Sequence, residues 1–182
     1  RNAPVILALA EVHAVQPGQL TAVGSMLVQA AERAGVPVAV HLDHAVSVET
    51  AVQAMELGFS SVMYDGSALT YEENIRQTKE AVALARKYGV SIEAEIGKMA
   101  GITLNNEGVT ENRASDRRNY TDPAEAKDFV EKTGVDCLAC SFGTVHGEYF
   151  SEPKLDFDLV KELKEAAGVP IVMHGGSGVS HA

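Results

Sequence analysis

The sequence predicts an α/β protein built as a barrel of repeated βα units, and three observations predict it. A helical pattern that stops on glycine and passes at once into an apolar strand returns five times. The strands read as unbroken apolar runs, as parallel strands covered on both faces by helices do. Each strand after the first ends in polar residues: Asp43 and His44, then Asp65, Glu95, His146 and His174. Five strands aiming such groups at one rim fit the C-terminal face of a barrel, where βα loops converge; an open sheet would gather them at one switch point.

Taken in order, "PVILALA" at 4–10 is the first strand and an amphipathic helix follows near 19–34. "RAGVPVAVHLD", "ELGFSSVMYDG", "KYGVSIEAEIG", "KTGVDCLACSFG" and "EAAGVPIVMHGG" then each carry the chain from a helix into a strand. Gly35, Gly58, Gly89, Gly134 and Gly168 stand where a helix C-terminus takes a residue tolerant of the left-handed conformation. The remaining helices are expected near 47–57, 71–88, 123–133 and 157–167. Start signals are Thr70-x-x-Glu73, Asp122-Pro123-Ala124-Glu125 and Asp156. Residues 1–182 thus read as a single domain of six strands and five intervening helices. A closed barrel needs eight units and about 250 residues. Either these residues are part of a longer chain or two units come from elsewhere.

Composition narrows the function. A formal charge of −10, from 15 Lys and Arg against 25 Asp and Glu, leaves no basic patch for nucleic acid or an acidic membrane. No run reaches the ~18 apolar residues of a membrane span, and "RNAPVILALA" lacks the charged start and cleavage site of a leader, so a cytoplasmic setting is expected. Cys137 and Cys140 form a C-x-x-C pair. Inside a strand, residues three apart point to opposite faces, so the two read as small buried apolar groups rather than a redox or zinc motif.

The chemistry concentrates at strand ends. A lone loop histidine is usually a surface or hydrogen-bonding residue. Three of them, His44, His146 and His174, at or just past the ends of three strands, suit a zinc ion with an open position for substrate. Asp43 adjoins one of these and can orient the site or transfer protons there. His41 reads as a core or supporting group, and His13 and His181 as surface residues. The loop "HGGSG" at 174–178 places glycines where backbone N–H groups can approach an anion, with the Ser177 hydroxyl beside them.

"VPVAVHLDHA", "SSVMYDGSALTYEENIRQTKEAVALARKYGVSIEAEIG", "TDPAEAKDFVEKTGVDCLACSFGTVHGEY" and "VPIVMHGGSGVS" closely resemble the class II, zinc-dependent ketose-bisphosphate aldolases, the fructose- and tagatose-bisphosphate aldolases. The resemblance runs from about residue 3 to 180 and rests on four motifs in matching order. It implies a (β/α)8 TIM barrel whose first and last strands this chain lacks. It also implies reversible cleavage of a ketose 1,6-bisphosphate to dihydroxyacetone phosphate and glyceraldehyde 3-phosphate through a zinc-stabilised enediolate. By motif, zinc falls to His44, His146 and His174, and Asp43 becomes the proton-transferring acid/base. Glu95 and Asp65 become acidic groups for a second or displaced cation. Gly147, Gly175, Gly176 and Ser177 match the groups that hold the dihydroxyacetone-phosphate half. A homo-oligomer, dimer or tetramer, is implied for the full-length enzyme, with no nucleic-acid or membrane partner.

Some positions depart from the family pattern. The loop after "EAEIG" usually carries a glutamate that shuttles the C3 proton; here Glu107, with Glu111 behind it, is the substitute. Phe150 replaces a common lysine, and Ala10 stands where many members have a phosphate-binding serine. Lys98, after "SIEAEIG", is the one candidate for rival Schiff-base chemistry and reads as solvated. Two alternatives therefore stand beside the aldolase: a zinc-dependent lyase for another sugar phosphate, and a noncatalytic metal-binding remnant of the fold.

Overall fold

The computed structural model describes residues 2–97, 103–104, 110–111, 117–146, 149 and 152–179. Among these residues six strands, each paired in parallel with a neighbour, alternate with five α-helices. The chain divides into two compact units, Arg1–Ala94 with Thr133–Asp136, and Glu95–Lys132 with Cys137–Ala182.

The first unit is a run of βα repeats. Its elements are β1 (Val5–Ala10), α1 (Gln19–Glu32), β2 (Val38–Ala45), α2 (Val48–Glu56), β3 (Ser61–Tyr64), α3 (Tyr71–Tyr88) and most of β4 (Ser91–Ile96). The strands lie in the order β1-β2-β3-β4, with Val5 opposite Val38, His41 opposite Ser61, and Ser61 opposite Ser91. Leu42, Val62, Met63, Ile92 and Ala94 are inaccessible to solvent; full burial of a Val, Leu, Ile or Met contributes about 1.5–3 kcal/mol. Adjacent residues such as Val62 and Met63 are both buried, so β3 is covered on both faces, as its apolar run predicts. Strand β1 departs from that expectation, with Ile6 68% exposed, because it is the outer strand and its register partners all come from β2.

Helix boundaries follow local chemistry. The Ser47 hydroxyl accepts from Thr50 N–H, and the Thr70 hydroxyl from Glu73 N–H, satisfying donors the first turn leaves open. Helix α3 ends on Gly89 in the left-handed region. Gly35 differs from the expectation: α1 closes on Arg33 in the right-handed region, so no left-handed residue is needed there.

A polar clip closes this unit. Arg86, in the last turn of α3, donates two hydrogen bonds to the Asp136 carboxylate at 2.7 and 2.8 Å and one to the Gly134 carbonyl. Asp136 also accepts from Ile92 N–H at 2.8 Å. Burial pushes the Asp136 carboxyl up, but the Arg86 and Ile92 bonds outweigh it and hold the carboxyl below its usual value. A carboxyl whose folded pKa is depressed adds stability above its unfolded value of about 3.9, and that stability is lost as pH falls through the folded value. Thermal melts between pH 5 and 2.5 are expected to show the midpoint falling, with part of the fall missing in Asp136→Ala. That variant also starts lower at pH 7, by about 1 kcal/mol, since the pair is partly exposed and screened. Identical pH profiles would show that the clip contributes nothing.

The second unit begins with Glu95 and Ile96 at the end of β4. It continues through β5 (Thr103–Leu104) antiparallel to β6 (Thr110–Glu111), α4 (Pro123–Thr133), β7 (Cys137–Cys140), α5 (Phe157–Ala167) and β8 (Ile171–Val172). Pro123 opens α4, and the Asp122 side chain accepts from Ala124 N–H. Asp156 caps α5 by accepting from Leu159 N–H, and Gly168 ends that helix in the left-handed region. Strands β7 and β8 pair through Leu138 with Ile171 and Ala139 with Val172. Thr121 ties two strand ends together: its hydroxyl donates to the Ile96 carbonyl and accepts from Ser141 N–H. Gly97, at φ +89°, lets the chain pass this staple, since a Cβ there would lie 2.5 Å from the Thr121 hydroxyl. No disulfide joins the two cysteines. Cys140 is buried, which pushes its thiol up to about 12, so it behaves as the small apolar group expected; Cys137 is half-buried.

Candidate active site

In the first unit the pairing of β2 with β3 carries an irregularity. Leu42 pairs with Val62 and Ala45 with Tyr64, so three steps along β2 oppose two along β3. The extra residue is a β-bulge at Asp43–His44, and a bulge re-aims the side chains it carries. His44 has φ +52°, the one non-glycine residue with positive φ among those described. Such backbone is sparsely populated for a side-chain-bearing residue and persists where its surroundings fix it. Regular alternation would send neighbouring side chains to opposite faces. Instead Asp43 Oδ1 and His44 Nε2 lie 3.9 Å apart.

The His44 ring is held from the other side. Its Nδ1 is 2.8 Å from Asp65 Oδ2, and Asp65 Oδ1 accepts from both Ser67 N–H and the Ser67 hydroxyl. Burial pushes the Asp65 carboxyl up, yet the bonds from His44 and Ser67 prevail and hold it down at about 2. Asp65 is thus ionised at neutral pH and can only accept, which puts the ring proton on Nδ1. The lone pair of neutral His44 is then on Nε2, the form a metal ligand needs. Glu11 braces the loop beyond, its carboxylate accepting from Val46 N–H and the Thr50 hydroxyl.

In the second unit Glu95, His146 and His174 converge from the end of β4 and the loops after β7 and β8. One ligand atom from each lies within 4.8 Å of the others. The imidazoles meet edge to face, with ring centres 5.6 Å apart and planes at 80°. Glu95 is 2% exposed. Two imidazole nitrogens and a carboxylate oxygen are the donor types that zinc takes, at about 2.0–2.2 Å each, so these residues fit a small divalent cation. The loops bearing the histidines approach closely. Gly175, at φ +70°, has no room for a side chain, because a Cβ there would strike the Val145 carbonyl.

The other expected residues separate into groups. Gly175, Gly176 and Ser177 follow His174, with Gly176–Gly178 forming one 3-10 turn and Ser177 exposed. Asp65, expected at a second cation position, has the His44 ring as its partner. His41 lies in the core as expected, with Nδ1 sharing a 2.8 Å hydrogen bond with the Ser61 hydroxyl and Nε2 3.9 Å from Glu93. His13 is exposed on the 3-10 turn Glu11–His13. Glu107, Gly147, Lys98, Phe150 and His181 lie outside the described residues, and Glu111 is described only as part of β6. Sequence reasoning missed Glu11, the bulge and Tyr149, whose hydroxyl accepts from Val145 N–H and donates to the Gly175 carbonyl. The polar residues in "HLDH" marked the strand end but not the bulge, which lies in the pairing with β3.

A fold of parallel βα repeats with histidines and carboxylates at its strand ends is the arrangement of α/β proteins that place their sites at the C-terminal ends of strands. The sequence profile of the family described as fructose-bisphosphate aldolase class-II matches residues 1–182, and the chain belongs to that family. The Escherichia coli K12 protein YdjI, named as uncharacterized, is 45% identical over 157 residues, covering 86% of this chain and 54% of its own. The fructose-bisphosphate aldolase of Geobacillus stearothermophilus is 41% identical over 182 residues, covering 98% of this chain and 60% of that enzyme. This chain therefore spans 54% and 60% of the length of these two relatives. Among solved structures, the crystal structure of the YdjI aldolase matches with a TM-score of 0.82 at 39% identity, over 98% of this chain and 60% of that one. Among the described residues no helix is long and apolar enough to cross a membrane.

Proposed function

We propose that this chain carries the catalytic centre of a zinc-dependent class II aldolase. The reaction is cleavage and formation of a ketose 1,6-bisphosphate, fructose or tagatose, with dihydroxyacetone phosphate and glyceraldehyde 3-phosphate as the three-carbon partners. The observation that carries this reading is the convergence of Glu95, His146 and His174 at successive strand ends, in a chain of this family. The proposed complete fold is the (β/α)8 TIM barrel, in a cytoplasmic homo-oligomer, as the family resemblance implies.

His44, His146 and His174 are the proposed zinc ligands, with Glu95 as the acidic group that can take a second or displaced cation. Zinc, when bound, supplies Lewis acidity that polarises a substrate carbonyl. Asp43 takes the C4 hydroxyl proton during cleavage and returns it during condensation. Glu107 moves the C3 proton. Gly147, Gly175, Gly176 and Ser177 hold the phosphate of the dihydroxyacetone-phosphate half. Asp65 keeps the His44 proton on Nδ1. Asp65→Asn is expected to weaken zinc binding by roughly 10–100-fold, the usual cost of losing a partner behind a ligand, measured by competition with a chromophoric chelator. Unchanged affinity would remove Asp65 from the site.

The test uses the purified native protein, with cleavage of fructose and tagatose 1,6-bisphosphates followed through reduction of released dihydroxyacetone phosphate. About one zinc per chain is expected, with activity lost to EDTA and restored by zinc. Full activity after exhaustive chelation, with borohydride trapping an adduct on Lys98, would overturn the reading in favour of Schiff-base chemistry. A lyase for another sugar phosphate is the second reading, favoured by Ala10 and Phe150, which depart from the family's phosphate-binding pattern. Turnover of a different ketose phosphate, with neither bisphosphate cleaved, would establish it.

A further inference from the structure

Tyr149 is outside every role assigned above, yet its hydroxyl joins the peptide just before one proposed ligand to the peptide just after another. It accepts from Val145 N–H at 3.0 Å and donates to the Gly175 carbonyl at 3.0 Å. Val145 precedes His146 and Gly175 follows His174. Paired register between β7 and β8 ends at Ala139 and Val172, so both histidines stand on loops beyond it. Hydrogen-bond geometry at one phenol oxygen therefore links the two loops where regular pairing no longer does. A Cβ at Gly175 would strike the Val145 carbonyl, so the two loops approach at backbone contact. The imidazoles they carry meet at 5.6 Å and 80°.

We propose that Tyr149 is a positioning residue for the metal centre: its hydroxyl holds the His146 and His174 loops in the register that lets both rings bind one divalent cation. Metal ligation tolerates errors of only a few tenths of an ångström, and sites held by loops are looser than sites on strands. A clamp on both loops sets the distance between the ligands without touching the cation. This inference rests on the zinc reading above, and its test separates the two.

The native protein, Tyr149→Phe, and a variant with 3-fluorotyrosine at position 149 are compared for zinc affinity, for the visible spectrum of the cobalt(II) form, and for the thermal midpoint without metal. Tyr149→Phe keeps the ring and loses only the hydroxyl. It is expected to weaken zinc binding by roughly 10–100-fold and to alter the cobalt band intensity, while the metal-free midpoint stays near that of the native protein. The fluorinated phenol, which retains the hydroxyl, is expected to restore both affinity and spectrum. A native protein that binds no zinc overturns the zinc reading and this proposal with it. Native zinc binding alongside unchanged affinity and spectrum in Tyr149→Phe overturns this proposal alone. A Tyr149→Phe protein that no longer folds without metal overturns it in favour of a general folding role.

Discussion

His146→Ala is expected to leave the protein folded and essentially free of zinc after dialysis, with cleavage at background. The loss should exceed the roughly 10–100-fold cost of removing a partner behind a ligand, because the proposed three-histidine site would keep only two of its imidazoles. His146 is partly buried, in the loop after a strand whose Leu138, Ala139 and Cys140 are fully buried. Replacing its ring therefore trims the rim and leaves the packed layer intact. His13→Ala is the matched control: His13 is exposed on a 3-10 turn and its loss should leave zinc content unchanged. Atomic absorption on both variants checks the assignment. Equal zinc in the two would show that His146 is not a ligand.

What could be read in advance followed the range of the interactions involved. Helices α2 to α5 start and stop near where the sequence places them because caps are local: Thr70 needs only Glu73, and Asp156 only Leu159. Strand ends were legible where a polar residue closes the apolar run, as Asp65 does after β3 and Glu95 near the end of β4, whereas His146 stands six residues past Cys140, the last of β7. The details that make the site were settled between strands. The bulge at Asp43–His44 exists because β2 and β3 differ by one residue in register, which no window on β2 alone contains. Asp65 could be chosen as an acid at a strand end, but its pairing with His44 spans 21 positions. Tyr149 reads in sequence as one aromatic residue after a glycine-rich turn, and its two partners are backbone groups, which every residue carries. Gly35 shows the converse error: a glycine at a helix end predicts a left-handed cap, and α1 closed on Arg33 before reaching it.

Asp43→Ala is expected to lower the cleavage rate by roughly two to four orders of magnitude, the usual range for a positioned acid or base, while zinc stays bound. Its separation from the metal is the point at issue, because the bulge that turns His44 leaves the Asp43 carboxylate only 3.9 Å from His44 Nε2, the nitrogen assigned the lone pair. A carboxylate so placed can serve as a proton carrier or as an oxygen ligand, and rate alone cannot tell these apart. Zinc content can, since a proton carrier is dispensable for binding and a ligand is not. Asp43→Asn sharpens the comparison: it keeps the shape and one carbonyl oxygen but cannot accept the C4 hydroxyl proton. If Asp43 transfers protons, both variants hold zinc as the native protein does, both lose rate, and KM moves little because substrate binding is retained. If Asp43 is a ligand, the alanine variant loses metal and rate together. That outcome would leave proton transfer at C4 to another group.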